Sequence, residues 1–319
     1  MSNMDITSII KENRLSLAHI GLTERQFNNL LVFFKKEYEK VKKKRENIKK
    51  AGRKSKLSTI EKKLFFILYY MKTYPTYDML SGIFGLHRSN ACRNVFFLME
   101  ILKNTLKRAG ILPVRSIKSK KDFQKIFKKI KFIIVDGTER RRRRPKNKVK
   151  QRIFYSGKKK YHSLKNLCIS EKNKYILFVS ETYPGKEHDK TIFINEKLYK
   201  RLPDKIKKYM DLAFYGIEKE AIKNILMPKK KPKGKELTVI DKKNNKIISQ
   251  TRVLIENAFA GVKRLRIVYD VFRNIKEDFA DNAICQQSCR VFQFFFIFSF
   301  SNPLAPWQGF RKKKLFELC

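Results

Sequence analysis

Acidic side chains are scarce in this sequence, and two of them stand beside its densest positive charge. In the stretch "FIIVDGTERRRRRPKNK", Asp136 and Glu139 precede five consecutive arginines. Carboxylates are ligands that Mg²⁺ prefers, and arginine is suited to bidentate contact with phosphate. Asp136 follows the apolar run "FIIV", so we expect its carboxylate at the carboxyl end of a strand, where active sites of open sheets gather. We interpret Asp136 as a metal ligand whose basic surroundings bind a polyanion.

Two further segments place acids where they favour catalysis. Asp211 follows "IKKYM" and precedes "LAFYG", another short strand and turn. Farther along, Arg252, Glu256 and Lys263 occur at i, i+4 and i+11, which fall on one helical face at about 100° per residue. The alternative interpretation of this helix is a surface ladder of ion pairs.

The composition favours a folded protein with a nucleic-acid partner. The 319 residues include 75 Lys+Arg against 29 Asp+Glu, a formal charge of +46, while the hydrophobic fraction is 42%. Such a positive field is most easily explained by a polyanion. An anionic membrane is the second candidate partner, but no segment approaches the roughly 20 apolar residues of a spanning helix. The length suggests about two domains.

The start of the chain and the cysteines indicate the compartment. The beginning carries early acids and no sustained apolar segment, unlike a signal peptide. The five cysteines are scattered and odd in number, which favours reduced thiols. We expect a bacterial, cytoplasmic protein associated with the nucleoid, without a membrane or an organic cofactor.

The pattern of apolar residues changes once along the chain. Up to about residue 115 it has the helical period, residues 116–130 are basic, and from residue 131 short strands alternate with polar turns. We predict a helical DNA-binding domain over residues 1–115, a basic linker over 116–130, a catalytic domain over 131–290 and an atypical, degenerate tail over 291–319. The tail contains the phenylalanine run "FQFFFIFSF".

The segment from Pro75 to Glu100 resembles a helix-turn-helix. Thr76 is suited to cap its first helix, Gly85 suits the turn, and the inward positions are Leu80, Ile83 and Ala91. The polar side of the second helix carries residue types that contact bases and phosphates, namely Arg88, Ser89, Asn90, Arg93 and Asn94. An ordinary helical pair with a solvated face is the alternative.

Six motifs in order carry a family resemblance. They are "VDGTE", "YSGKKKYHSLK", "PGKEHDK", "DLAFYG", "PKKKPKGKEL" and "RVLIENAFAGVKR". From about Ile133 to Arg273 the chain resembles the DDE superfamily of transposase endonucleases, in the insertion-sequence group numbered five. The segment "KTYPTYDMLSGIFGLHRSNACR" is similar to the helix-turn-helix that precedes this domain in the family.

The resemblance implies a fold and a catalytic centre. The fold is an α/β, RNase H-like core, in which a mixed sheet has helices on both sides, preceded by an all-α helix-turn-helix domain. The metal-binding triad is Asp136, Asp211 and Glu256. Arg252 and Lys263, which match the family's arginine, glutamate and lysine signature with Glu256, grip phosphates beside the metal. Ser249 stands where the family has a tyrosine.

The implied chemistry is two-metal phosphodiester cleavage. Two Mg²⁺ ions, which Mn²⁺ is able to replace, activate the attacking oxygen and stabilise the leaving oxygen. DNA contacts are predicted for Arg140, Arg141, Arg142, Arg143 and Arg144, and for Lys158, Lys159 and Lys160 at a hairpin turn. A solvated loop or a nuclear-import signal is the alternative for the arginine run. His188 and Asp189 are predicted to support the metal site, with helix capping by Asp189 as the alternative.

These features together predict a transposase. We expect it to bind the terminal inverted repeats of its own element, cleave there, and join the 3′ ends to target DNA as a homodimer on double-stranded DNA. Two other hypotheses remain: a non-catalytic DNA-binding remnant, which the atypical tail favours, and a metal-dependent nuclease indifferent to sequence.

Overall fold

The structure is a computed structural model that describes residues 4–44, 55–127, 130–220, 222–274, 276 and 278–289. The predicted atypical tail therefore lies outside the described residues. Helices fill the described chain up to residue 127. They are α1 (Ile6–Lys11), α2 (Asn13–His19), α3 (Glu24–Lys44), α4 (Ile60–Thr73), α5 (Tyr77–Phe84), α6 (Arg88–Arg108) and α7 (Lys120–Ile126).

Helices α5 and α6 form the predicted helix-turn-helix. The side chain of Thr76 accepts a hydrogen bond from the backbone N–H of Met79 (3.2 Å), which caps α5. Gly85 ends α5 with φ 62°, a left-handed conformation that glycine adopts without steric cost. Leu80 and Ala91 are fully buried, as predicted, whereas Ile83 is only partly buried.

A mixed sheet follows the helical part. Its strands are β1 (Phe132–Arg141), β2 (Tyr155–Ser156), β3 (Tyr161–Ser170), β4 (Ile176–Val179), β5 (Tyr183–Pro184), β6 (Lys207–Tyr209) and β7 (Ile225–Leu226). Strand β3 is antiparallel to β1 and β4, and the short strands β2 and β5 also pair with β3. On the other side of β1, β6 and β7 run parallel to it.

Helices also lie between and after the strands. They are α8 (Lys148–Phe154), α9 (Asp189–Asn195), α10 (Leu198–Arg201), α11 (Val239–Lys263), α12 (Arg266–Tyr269) and α13 (Phe279–Gln287), with short 3₁₀ turns at Leu212–Phe214 and Ile217–Glu220. Helix α11, the longest of the described helices, carries Arg252, Glu256 and Lys263. In the part of the chain that the structure describes, no helix has the length and hydropathy to cross a membrane.

The sheet separates two apolar clusters. Ile133 and Val135 of β1 pack on one face with residues of α7, α9 and α10. Ile134 points to the opposite face, because successive strand residues alternate sides. That face joins α11, α12 and α13 to the buried residues of α3, α4 and α6 in one continuous cluster. The helical region and the sheet therefore share a core, and the α/β, RNase H-like fold with a preceding helical domain is confirmed.

Candidate active site

The register of the sheet brings Asp136 and Asp211 together. In the parallel pair of β1 and β6, Ile134 lies opposite Tyr209. Each aspartate follows its member of this pair by two residues, so the two lie side by side where the parallel pairing ends. Strand β1 itself continues through Arg141, so Asp136 lies within its strand and not at the strand end that the sequence predicts. Because the carboxyl ends of parallel strands meet at one edge, the carboxylates converge, although 75 residues of sequence separate them.

Arg252 lies between these two carboxylates. One terminal nitrogen of its guanidinium, Nη2, is 3.4 Å from Asp136 Oδ2 and 3.4 Å from Asp211 Oδ2. Helix α11 carries this arginine to the site by burying Ile255, Ala258 and neighbouring residues against the sheet. The Nε atom of Arg252 is buried without a hydrogen-bond partner. The guanidinium thus neutralises two acids that the fold forces close together.

Burial shifts the protonation of Asp136. The low accessibility of this carboxyl raises its pKa to about 6, and the nearby Asp189 and Asp211 act in the same direction. Arg252 and the backbone N–H of Gly137, which donates to Asp136 Oδ1 at 2.9 Å, lower the pKa in opposition. Because its pKa is set by burial and by nearby charges, a cation bound beside Asp136 would lower that pKa strongly.

Asp189 packs directly on the strand that carries Asp136. A methyl group at Gly137 would lie 2.6 Å from Asp189 Oδ1, so only glycine leaves room for this carboxylate. Lys165 of β3 pairs with Asp189 at 3.2 Å and with Glu139 at 3.6 Å, and all three side chains are largely buried. Glu139 also accepts a hydrogen bond from Ser163 Oγ (2.9 Å). This buried network supports β1 from behind Asp136.

His188, which the sequence pairs with Asp189 as a support of the metal site, lies outside this network. His188 is exposed and precedes α9 without making a side-chain capping bond. Asp189 lies in the first turn of α9 rather than at its cap. The structure therefore brings Asp189, but not His188, to the neighbourhood of Asp136.

Lys263 faces the same region from the end of α11. Burial lowers the pKa of its ammonium group, and the positive charge of Lys159 lowers it further, whereas Asp136 and Glu139 raise it. Lys263 lines a groove of about 600 Å³ together with Glu139, the acid that follows Asp136 in β1. Arg141, Tyr161, Tyr269 and Arg273 also line this groove.

Glu256 is the predicted ligand that the structure does not join to the others. It follows Arg252 by one helical turn and is exposed. Among the described residues, no group of three or more His, Cys, Asp or Glu side chains is close enough to hold a metal ion. The donor set still fits a divalent cation in one respect, since Asp136 and Asp211 present oxygen ligands to a common positive group.

The arginine run divides between the interior and the surface. Arg140 is 2% exposed, and its guanidinium donates to Asn166 Oδ1 (2.8 Å), Ala280 O (3.0 Å) and Thr182 Oγ1 (3.3 Å). Phosphate cannot reach an arginine enclosed in this way, so the DNA contact predicted for Arg140 needs correction. The physical reason is that β1 extends through Arg141, and residue 140 lies on the same inward face as Ile134 and Asp136.

The remaining arginines of the run are accessible to different degrees. The guanidinium of Arg142 lies 3.8 Å from the centre of the Phe154 ring, and that of Arg141 lies 5.4 Å from the Tyr161 ring. Arg144 donates to Gln151 Oε1 (2.9 Å), and Arg143 and Arg144 are exposed. Lys158, Lys159 and Lys160 are exposed in the turn between the hairpin strands β2 and β3, as the sequence predicts.

The polar side of the helix-turn-helix is largely exposed, and one of its residues, Arg88, lines a second groove. Arg88, Ser89, Asn90 and Arg93 are exposed, whereas Asn94 is partly buried and donates to Asn90 O (2.8 Å). A groove of about 450 Å³ lies between this motif and the sheet. Its basic lining residues are Arg88, Arg143, Arg273 and Lys276.

Two residues near the site, Lys165 and Arg273, are not predicted from the sequence. Lys165 neutralises the acids behind Asp136, and its signal is a single lysine inside the strand pattern "YHSLKNLCIS". Arg273 lines both grooves, but nothing in "VFRNIKED" distinguishes it from the many other arginines of the chain.

Comparisons with known proteins find two matching family models and a similar protein. A family model described as DDE superfamily endonuclease matches residues 135–294, half of the chain, and one described as helix-turn-helix of DDE superfamily endonuclease matches residues 55–108. The chain is 29% identical over 255 residues to the probable transposase for insertion sequence element IS702 of Microchaete diplosiphon, covering 80% of this chain and 85% of that protein. No solved structure matches the chain significantly.

Proposed function

We propose that this chain, which belongs to the DDE superfamily of endonucleases, is a DNA transposase. In this proposal it binds the terminal inverted repeats of its own element, cleaves phosphodiester bonds there and joins the 3′ ends to target DNA. The observation that carries the proposal is the convergence of Asp136 and Asp211 on one guanidinium nitrogen of Arg252, at 3.4 Å each. A fold rarely forces two acids together without a use for them, since like charges at close range repel.

Asp136 and Asp211 are the residues that we propose to hold the metal ions, with Glu256 as the third ligand. Two Mg²⁺ ions, or Mn²⁺ in their place, supply an activated attacking oxygen and a stabilised leaving oxygen when bound. The protein contributes a fixed edge for the ligands, because Asp136 is anchored by the N–H of Gly137 and Asp211 by the N–H of Leu212 (2.6 Å). Lys165 and Asp189 keep β1 in place behind the site.

Arg252 and Lys263 are proposed to bind the phosphate that is cut. Arginine presents paired donors that match phosphate geometry, and the guanidinium of Arg252 already lies against both proposed metal ligands. Lys263 borders the groove that Glu139 and Arg141 of β1 also line. The side chain of Arg273 borders both grooves, so they form a basic path between the recognition helix α6 and the active site.

The rest of the DNA is proposed to lie on the exposed basic residues. Recognition of the repeat is assigned to the polar side of α6, and backbone contacts to Arg141, Arg143, Arg144 and the lysines of the hairpin turn. The formal charge of +46 predicts strongly salt-dependent binding. We also propose a homodimer on DNA, because two element ends must be held together for transposition.

A second candidate function is a DNA-binding remnant without catalysis. The observation that favours it is the exposed position of Glu256, away from any three-ligand group in the described part of the chain. Such a remnant would keep the helix-turn-helix and the basic surface, and would bind the repeats without cutting them.

Cleavage of a plasmid that carries the gene's own flanking DNA tests these alternatives. The natural protein, Asp136→Asn and a control, Asp204→Asn, are compared in Mg²⁺; Asp204 pairs at the surface with Lys120 and lies outside the site. We expect cuts at the element ends with the natural protein and the control, and none with Asp136→Asn, while all three bind the ends equally. Binding without cuts by any of them would identify the remnant. Cuts scattered over the plasmid would contradict recognition of the repeats.

A further inference from the structure

The DNA-reading helices are joined rigidly to the catalytic sheet. Phe272, which follows α12, is 4% exposed in the cluster that helical region and sheet share. Its ring stacks on Tyr74 at a centroid distance of 6.4 Å and a plane angle of 12°, and it also contacts Phe279 at 6.1 Å. Tyr74 ends α4, immediately before the helix-turn-helix.

The backbone of Phe272 pairs with the end of β1, the strand that carries Asp136. Its N–H donates to Arg141 O (2.8 Å), and its carbonyl accepts from the N–H of Arg143 (2.9 Å). Arg142 and Phe272 thereby form a parallel bridge at the end of β1. Since β1 also carries Asp136, five residues separate the catalytic carboxylate from this bridge.

The next residue, Arg273, closes the connection to the helix-turn-helix. Its N–H donates to Tyr74 Oη at 2.9 Å. Its guanidinium donates to the carbonyls of Tyr74 and Pro75, the second at 3.1 Å, and lies 4.3 Å from the centre of the Tyr74 ring. Both carbonyl contacts come from one nitrogen, Nη2, while the planar guanidinium lies over the Tyr74 ring. A lysine ammonium is able to donate to carbonyls, but it has no planar group to stack on the ring.

Tyr74 is itself held in an unusual conformation. Its φ of 45° and ψ of 55° are left-handed, which costs a non-glycine residue about 1 kcal/mol or more. The conformation turns the chain sharply from α4 into Pro75 and Thr76, the cap of α5. The contacts of Arg273 fall on the two carbonyls of this turn, so they determine the direction in which the recognition helices leave the core.

We propose that Arg273 and Tyr74 form a joint that fixes the spacing along DNA between the base pairs read by α6 and the bond cut beside Asp136. The inference rests on the proposed function, and it adds that Arg273 is a positioning residue. The rigid connection holds the recognition helix at one distance and one angle from the aspartates. Cleavage is therefore confined to one bond, counted from the recognised sequence.

Substrates with altered spacing test the joint. In these DNAs, about 1 or about 5 base pairs are inserted between the recognised repeat and the cut bond; the larger insertion turns that bond by roughly half a helical turn. The variants are Arg273→Lys and Tyr74→Phe. The matched control is Arg25→Lys, the same change at an exposed arginine of α3 that lies outside both grooves.

We expect the natural protein and the control to cut at the native spacing and to lose at least about tenfold in rate with either insertion, about 1.4 kcal/mol in barrier. Arg273→Lys keeps the charge, so its affinity for the repeat should stay within about twofold. Its cuts should spread over neighbouring bonds, and its rates on the native and the shorter inserted DNA should differ by less than about threefold. Tyr74→Phe should show a smaller change in the same direction. Spacing dependence identical to that of the natural protein in Arg273→Lys would overturn the proposal.

A second measurement does not require cleavage. Spin labels carried by non-canonical residues replace Met79 on α5 and Tyr215 beside the active site, both exposed, in the full chain. The distance distribution should be narrow in the natural protein and in Arg25→Lys, and clearly broader in Arg273→Lys. Equal widths in all three would refute the joint. A natural protein that cuts nothing would refute the proposed function while this measurement still decides the joint.

Discussion

The centre around Asp136 and the hairpin turn at Lys158, Lys159 and Lys160 differ in how their charges are balanced. Charges in the centre are paired with one another, whereas those in the turn face solvent. In the centre, Asp136, Asp211, Glu139, Asp189 and their cations lie within 3.2–3.6 Å of a partner. In the turn, the three lysines are exposed, and no ion pair holds them among the described residues. Removing a charge from the centre leaves its partner unpaired in low dielectric, whereas removing one from the turn affects only a polyanion outside. The two regions should therefore differ in the size and the kind of mutational effect.

The largest effect is expected at Asp211. Asp211→Asn keeps the shape of the side chain but removes a charged oxygen ligand beside Asp136. We expect the cleavage rate in Mg²⁺ to fall at least about 10³-fold, about 4 kcal/mol in barrier, with unchanged binding of the element ends. Cleavage rates on labelled DNA ends and gel-shift affinities measure the two quantities. A loss of rate below tenfold would remove Asp211 from the centre.

The next largest effect is expected at Arg140. It compares the stability lost at a buried arginine with that lost at an exposed arginine of the same run. Arg140→Ala leaves the acceptors of Asn166 and Ala280 buried without their donor, so the free energy of unfolding should fall by about 3 kcal/mol. Arg143→Ala, at an exposed site, should change it by less than about 0.5 kcal/mol. Urea unfolding of both variants gives these values. Equal losses would mean that Arg140 is not enclosed.

Asp136 should link stability to pH. Its pKa is raised from the ordinary value of 3.8 to about 6, so the folded protein holds the proton more tightly than the unfolded chain does. Stability from this group is then complete below about pH 4 and is lost as pH rises through about 6. Asp136→Asn removes that loss and should stabilise the protein without metal by about 3 kcal/mol at pH 7.5, and by almost nothing at pH 4.

The pH dependence needs a surface control. Asp270→Asn removes an exposed carboxylate that pairs with Arg266 at 3.0 Å, and should change stability by less than about 1 kcal/mol at either pH. Urea unfolding at both pH values supplies the comparison. A gain in Asp136→Asn that is equal at pH 4 and 7.5 would exclude titration of this carboxyl as the cause.

The smallest effect is expected in the hairpin turn. Lys159→Ala should weaken DNA binding to a similar degree for all sequences and reduce the slope of log affinity against log salt by about 1. Stability should be unchanged, because the side chain is exposed. Binding titrations at several salt concentrations measure the slope. A change in sequence preference would instead place this lysine against bases.

Much of the site follows from short-range patterns. The apolar runs before Asp136 and Asp211 predict that both lie at strand ends. Asp211 does follow the end of β6, but β1 continues through Arg141, so Asp136 lies within its strand, just past the last pair with β6. Thr76 and Gly85 predict the ends of α5, because capping and left-handed turns depend on local residue type. The family resemblance supplies the remaining connection, since nothing in the spacing of two distant strands predicts that they are neighbours.

The places where the sequence-based predictions differ from the structure also have physical explanations. The arginine run is treated as uniform in sequence, but the strand continues into it, and a period of two assigns Arg140 to the interior and Arg141 to solvent. Arg252, Glu256 and Lys263 share one helical face in projection. Glu256 is rotated from Arg252 by about 40° around the helix axis, and it is exposed where Arg252 is largely buried. The contacts of Arg273 with Tyr74 join positions almost 200 residues apart, which no local pattern encodes.

The central claim is that Asp136 and Asp211 form one cation-binding centre, and Mn²⁺ binding to the protein without DNA tests it most directly. Paramagnetic resonance of free Mn²⁺ would give the affinity for the natural protein, Asp136→Asn, Asp211→Asn and Asp204→Asn as the control. We predict that each of the first two substitutions weakens binding at least about tenfold and that the control does not. Unchanged affinity in both Asp136→Asn and Asp211→Asn would contradict the claim.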